Sequence, residues 1–395
     1  VIEPLRARFN RDFTPARYAS FVDAIQRRVG VPIEFRLSET PCFVPATLLG
    51  KLDDVAQALV AQLLGNPAYL SAAGSVVPGE CRPALGEDRP TFIQVDFGFV
   101  RNGSGLDVRL VELQAFPSLY GFQLVLAEMA REMYDLPETS VAAGGLSRDE
   151  YLRLVGHAIV GSHDPREVVL VEIDPERQKT RPDFVATEQL WGVRAVDLGA
   201  LVKEERRLFV RRGGSLAPVR RIYNRVIPDE LARSGRSWPF DLRADLDVEW
   251  AGGPDWFFKV SKFSIPWLRH PSVPRTHYLS DVELLPDPRD AWLLKPLFSF
   301  AGGGIVFGPT DADLAAIAPD ARRHFILQER IAFTPTIDTP HGPTQLEVRL
   351  MMIRDGDRYR TVMPLGRMGR GRMMGVDHNK GLEWVGAAAV LVAPG

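Results

Sequence analysis

The stretch Trp292-Leu293-Leu294-Lys295-Pro296-Leu297-Phe298-Ser299-Phe300-Ala301-Gly302-Gly303-Gly304-Ile305-Val306-Phe307-Gly308 reads as strand, glycine loop, strand, with a lysine closing the first apolar run. Glycines permit positive φ and leave backbone N–H groups open to an anion. Gly302, Gly303 and Gly304 can therefore wrap phosphate oxygens while Lys295 supplies a point charge. A nucleotide polyphosphate suits this pattern. Order and spacing separate it from three other phosphate loops. A P-loop lysine follows its glycines into a helix, whereas Ile305 follows Gly304 here. A dinucleotide fingerprint requires glycine where Phe307 stands, and a kinase lysine lies on the strand after its loop. A tight hairpin that binds nothing is the plain alternative, and the loop alone does not choose between the two.

On the carboxy-terminal side, residues 324–331 form an apolar strand ending near Gln328-Glu329, an edge able to offer backbone groups and a carboxylate to adenine or ribose. A second hairpin is expected at 345–363, turning at Asp355-Gly356-Asp357 and carrying Arg349. The basic run Gly366-Arg367-Met368-Gly369-Arg370-Gly371-Arg372 then reads as flexible: a disordered surface loop, or one that meets an anion. An alanine-rich loop closes the chain. Just ahead of the glycine stretch, Lys259 and Lys262 are both available to a phosphate, with one of them expected at the surface.

Further towards the amino end, apolar residues recur at three and four over 17–29 and 47–64, so two amphipathic scaffold helices are expected there. Residues 91–114 alternate as a hairpin around Asn102-Gly103-Ser104-Gly105. Glu112 and Gln114, two apart, share a strand face that Asp96 on the partner strand can join. These oxygens suit Mg²⁺, which takes one or two protein ligands and completes its shell from phosphate and water; a solvated acidic face is the alternative. The proline-bounded loop 115–122, with Ser118 and Tyr120, fits a substrate wall. Strands at 167–173, 192–196 and around 208–210, with a helix at 183–191, suggest a small Rossmann-like layer that ends at the basic run 220–225. Arg225 in that run reads either as a carboxylate receptor or as part of a solvated edge.

At 395 residues, two or three subdomains around a shared cleft are expected. With Lys+Arg 48 against Asp+Glu 50, a dedicated nucleic-acid binder is disfavoured. Cys42 and Cys81 lie in no metal or redox spacing and read as buried apolar residues of a reducing cytoplasm. No apolar run approaches the roughly 18 residues of a membrane span, and Arg6, Arg8, Arg11 and Asp12 interrupt any signal-like segment at the start.

A lysine before a glycine loop, an acid at the end of the next strand and an arginine-bearing hairpin together resemble the ATP-grasp superfamily. The acidic hairpin, with Asp96 and Val111-Glu112-Leu113-Gln114, stands near the amino end, not the carboxy end. That order resembles circularly permuted ATP-grasp proteins, namely eukaryotic-type glutathione synthetase and bacterial proteins related to glutathionylspermidine synthetase. The resemblance runs from about residue 91 onward and implies an α/β (α+β) fold: a circularly permuted ATP-grasp with an inserted Rossmann-like subdomain. The corresponding divisions are 1–160 (helices and metal-binding hairpin), 161–245 (substrate subdomain), 246–330 (nucleotide lobe) and 331–395 (second lobe). It further implies ATP and Mg²⁺ as cofactors, with magnesium on Glu112 and Gln114, Lys262 and Lys295 on ATP phosphates under Gly302 to Gly304, and Glu329 at the adenine hinge beside Gln328. Arg349 and Arg367 would contact the γ-phosphate or an acyl phosphate. Two departures stand out: Gln114 replaces the family's asparagine, and Phe300-Ala301 stands where glutathione synthetase has a metal-binding glutamate. Asp96 is the residue expected to supply the missing charge.

The expected activity is ATP-dependent ligation of a small carboxylate to an amine, without nucleic acid or membrane as partner and with a homodimer left open. A nucleotide-binding sensor or partner subunit without ligase activity is the alternative.

Overall fold

The hairpin expected at residues 91–114 is present as strands Phe92–Asn102 and Gly105–Gln114, and it forms one edge of a six-stranded sheet. The computed structural model describes residues 3–103, 105–299, 302–379 and 381–394. Across the sheet the order is Cys42–Pro45, Gly386–Ala393, Arg358–Gly369, Gln345–Asp355, Phe92–Asn102, Gly105–Gln114. The first pair is parallel and the rest are antiparallel.

Leu110 and Leu113 are three apart, so a regular strand would point them to opposite faces. Both are buried, because a bulge at Val111 lets Asp96 face Glu112 while Phe97 faces Leu110. The bulge keeps both leucines in the core with Val95, Phe97, Val348 and Leu350. Helix Ala46–Leu64 covers this face with Leu49, Leu52, Ala56 and Leu59, the spacing that predicted it. Each such buried leucine contributes roughly 1.5–3 kcal/mol. The opposite face of the sheet is apolar where Tyr120 and Leu124 of helix Tyr120–Met133 lie on it, and polar beyond.

Two expectations for the middle of the chain are corrected. The parallel sheet runs Glu249–Ala251, Arg221–Asn224, Val168–Glu172, Arg194–Asp197, so the basic run is a strand inside the sheet. The strand around 208–210 belongs instead to a separate antiparallel sheet of Leu201–Glu204, Arg207–Arg212 and Ser215–Val219. Its links, Glu205-Arg206 and Gly213-Gly214, are far too short for a parallel crossover.

The glycine-loop region forms a third unit, an antiparallel sheet ordered Thr276–Tyr278, Phe325–Glu329, Trp292–Pro296, Val306–Phe307. Trp292, Leu294 and Leu327 fill its small core, which turns Leu293, Lys295 and Gln328 to the other face.

A further correction concerns residues 366–372. Gly366 to Gly369 complete the strand Arg358–Gly369 and do not form a flexible loop. Glycine serves close packing there: a Cβ on Gly366 would lie 3.0 Å from Val390 Cγ2 and 3.2 Å from the Ala388 carbonyl oxygen. The alanine-rich segment is likewise the strand Gly386–Ala393. Both cysteines are free, and burial pushes the Cys42 thiol up to about 12. Among the described residues no helix is long and apolar enough to cross a membrane.

Candidate active site

Residues directly opposite in a sheet share a face. Asp96 opposes Glu112, Gln94 opposes Gln114, Arg349 opposes Asp96, and Arg367 opposes Glu347. Register alone therefore gathers these seven side chains on the polar part of the six-stranded sheet. A cavity of about 590 Å³ separates this face from the small antiparallel sheet that carries Lys295. Gly98 keeps the face accessible to Phe333, since a Cβ there would fall 2.3 Å from the Phe333 ring.

Arg349 holds Asp96 in a two-pronged pair, Nε to Oδ1 and Nη2 to Oδ2, each 2.6 Å, and its Nη1 donates to Gln94 Oε1 at 2.8 Å. Both partners are buried. Burial alone would raise the Asp96 pKa, but the Arg349 and Arg367 guanidiniums hold it below the usual carboxylate range. Arg367 reaches Asp96 at 3.3 Å and also donates to Glu347. Glu347 lies above its ordinary value because burial, and next the Asp96 charge, outweigh the arginines. The Gln114 amide is drawn into the same network, 2.9 and 3.1 Å from the two terminal nitrogens of Arg349.

Glu112 differs from Asp96. Its carboxylate faces the cavity and accepts no hydrogen bond from a described residue, with Lys262 Nζ 3.9 Å from Oε2. Lys262 donates to the Ser299 carbonyl at 2.8 Å and lies at the glycine loop, whereas Lys259 pairs with Asp255 at 2.5 Å. Lys262 is thus the lysine of the two that lines the cavity.

Lys295 projects from its strand into the cavity and donates to Gln328 Oε1 at 2.5 Å. Burial, reinforced by the neighbouring Lys262 charge, lowers its pKa to about 8 against the pull of Glu112. Gln328 is 1% exposed, and its Nε2 has no hydrogen-bond partner among the described residues. Such an orphaned buried donor facing a cavity is suited to a ligand acceptor. Gly302 and Gly304 adopt left-handed φ of 78° and 73°, and Gly302 lines the cavity. Gly303 and Gly304 are exposed. A Cβ on Gly302 would fall 2.4 Å from Met373 Cε, so the glycine loop meets the 371–378 segment over the cavity. Phe300 and Ala301, where the sequence departs from glutathione synthetase, lie outside the described residues.

Of the three substrate residues expected, Ser118 lines the cavity and its carbonyl accepts from Gln94 Nε2 at 2.9 Å. Tyr120 is a fully buried core residue donating to the Met352 carbonyl at 2.8 Å. Arg225 is buried outside the cavity lining, 3.1 Å from Asp183 and stacked over Phe116 and Phe184. Glu329 also points elsewhere, to Arg275 at 3.2 Å. Sequence reading missed Gln94 and Glu347, although two-residue alternation with Asp96 and Arg349 marks both. It also missed Phe35, for which no local pattern exists.

No cluster of three or more His, Cys, Asp or Glu able to hold a metal occurs among the described residues. Mg²⁺ carried with a polyphosphate needs fewer protein oxygens. Glu112 fits that lesser requirement; both Asp96 oxygens already accept from guanidinium groups.

Neither a family model nor a curated protein matches the sequence. Among solved structures, the chain is similar to a glutathione synthetase-like effector (GSS30) from Globodera pallida in its apo form, with a TM-score of 0.59 and 13% identity over 89% of this chain and 93% of that one. At that identity the likeness concerns the fold, and it leads to one conclusion: this chain has a glutathione synthetase-like α+β fold.

Proposed function

We propose that this chain is an ATP-dependent carboxylate–amine ligase acting through an acyl phosphate, built as a circularly permuted ATP-grasp module. The observation that carries the reading is the convergence, across one cavity, of Lys262, Lys295 and the orphaned Gln328 amide on one wall with Glu112, Arg349 and Arg367 on the other. The base would lie against Leu293, Val260 and Phe307, with Gln328 Nε2 donating to it. The two ammonium groups would neutralise phosphate oxygens beneath Gly302. Magnesium, held by Glu112, would supply charge neutralisation between the phosphates. The substrate carboxylate would meet the γ-phosphate beside Arg367, whose side chain is one-quarter exposed and fixed by Asp96 and Glu347. Carboxylate oxygen attacks phosphorus and ADP departs; the amine then attacks the acyl carbon and phosphate departs. Positioning and charge suffice, and no side-chain nucleophile is required.

A ligase releases ADP only when both acid and amine are present. Glu112→Ala and Lys295→Ala are each expected to lower kcat/KM by about 10²-fold or more. Near-normal turnover in either variant would sink the assignment. A second reading, a nucleotide-binding protein without ligase activity, is favoured by the engagement of Asp96 and Gln114 with Arg349. ATP binding with no ADP release across mixed amino acids and small amines would select it.

A further inference from the structure

The polar face of the six-stranded sheet changes character across its width. One row runs Glu112, Asp96, Arg349, Leu365, Ala389, and its neighbour ends in Arg367 and Ala387. Beyond the arginines, away from Lys262 and Lys295, much of the cavity wall is apolar. Ala387 is hydrogen-bonded through its backbone to Arg36 and Ser38, which brings Phe35 to the wall. Phe35 meets Phe122 edge to face, centroids 5.4 Å apart at 84°. Leu119 lines the same cavity with φ of 67°, a left-handed backbone that is costly for leucine. Phe35, Leu119 and Ala387 are each half-buried and pack on the cluster that contains Phe122.

The backbone donors at the start of the helix, and the Gln123 amide, are already taken up internally. Helix Tyr120–Met133 starts here, but the Leu119, Gly121 and Phe122 amides all donate to Asp183 at 3.0 Å, and Arg225 holds that carboxylate from behind. The Gln123 amide is turned to the Pro364 and Ala388 carbonyls. Lys179 and Thr180 also line the cavity, so the apolar wall has a polar border.

Building on the ligase reading, we infer that the activated carboxylate belongs to an acid bearing an aromatic or branched aliphatic group, seated against Phe35, Leu119, Phe122 and Ala387. With the carboxylate at Arg367, the attached group falls on this wall, where a polar chain would lose hydrogen bonds to water and find few replacements.

The test uses the full chain with ATP, Mg²⁺ and hydroxylamine, a small amine that converts any acyl phosphate into a hydroxamate and releases phosphate, whatever the natural amine. L-Phenylalanine, L-leucine and 3-phenylpropionate are compared with L-glutamate, L-serine and glycylglycine. The apolar acids are expected to give hydroxamate and ADP together, with kcat/KM roughly 10- to 100-fold above the polar ones. Leu119→Asn keeps a residue tolerant of the left-handed backbone and should raise KM for the apolar acids about tenfold while leaving ATP affinity unchanged. If that variant fails to fold, the wild-type comparison still decides. Turnover confined to polar acids would overturn the inference and leave the ligase standing; ATP binding with no hydroxamate from any acid would overturn both.

Discussion

Arg349 and Asp96 form a two-pronged ion pair at the cavity, and their burial determines what each can do. A carboxylate with both oxygens on one guanidinium is a fixed counter-charge, and here it fixes Arg349 and steadies Arg367 facing the cavity. Removing Arg349 leaves Asp96 charged and buried with only the longer 3.3 Å contact to Arg367 among the described residues. Arg349→Met is therefore expected to cost about 3–5 kcal/mol in urea unfolding, and Asp96→Asn added to it should recover much of the loss. Additive losses in the double variant would show that the two side chains do not act as a pair. Asp96 was legible as a site residue from its place opposite Glu112. Its engagement was not, because Arg349 lies 253 positions away and only the register between the two strands brings them together.

At the scale of elements, a buried amide ties down the segment after strand Arg358–Gly369, alongside the Arg370 guanidinium on Thr344 and Thr339. Asn379 donates to the Met373 and Gly375 carbonyls at 2.9 and 3.1 Å and accepts from the Arg370 amide at 3.2 Å. Met373 in turn rests over Gly302. Asn379→Ala should change global stability by less than about 3 kcal/mol. It should open the 370–375 segment to limited proteolysis and weaken ATP binding; unchanged protease resistance and affinity would contradict this role. The hairpins and amphipathic helices were readable because periods of two and 3.6 survive in the residues themselves. The bulge at Val111 was not read, since it shows only as two leucines at an odd spacing. Residues 366–369 misled because glycine signals flexibility and close packing alike, and the deciding neighbours, Val390 and Ala388, are remote in sequence.

Over the whole molecule, the cavity is assembled from the acidic hairpin, the glycine-loop sheet, the arginine hairpin and a segment near residue 35. Strand Cys42–Pro45 pairs with strand Gly386–Ala393 and so completes one edge of the sheet that carries the arginines. That Glu112, Lys262, Lys295 and Gly302 would meet at one cavity was legible, because carboxylate, lysine and glycine, in that order along the chain, suit a common place. The lining at the other end was not: Tyr120 and Arg225 look like binding residues in sequence, yet the fold places the first in the core and the second against Asp183. The central claim is that the acid of the amino-terminal hairpin and the lysines beside the glycine loop act on one nucleotide. Calorimetric titration of ATP, with and without Mg²⁺, into wild type and Glu112→Ala tests it directly. The account predicts binding that is strengthened by magnesium in wild type and indifferent to it in the variant; magnesium dependence that survives in Glu112→Ala, or no ATP binding at all, would contradict it.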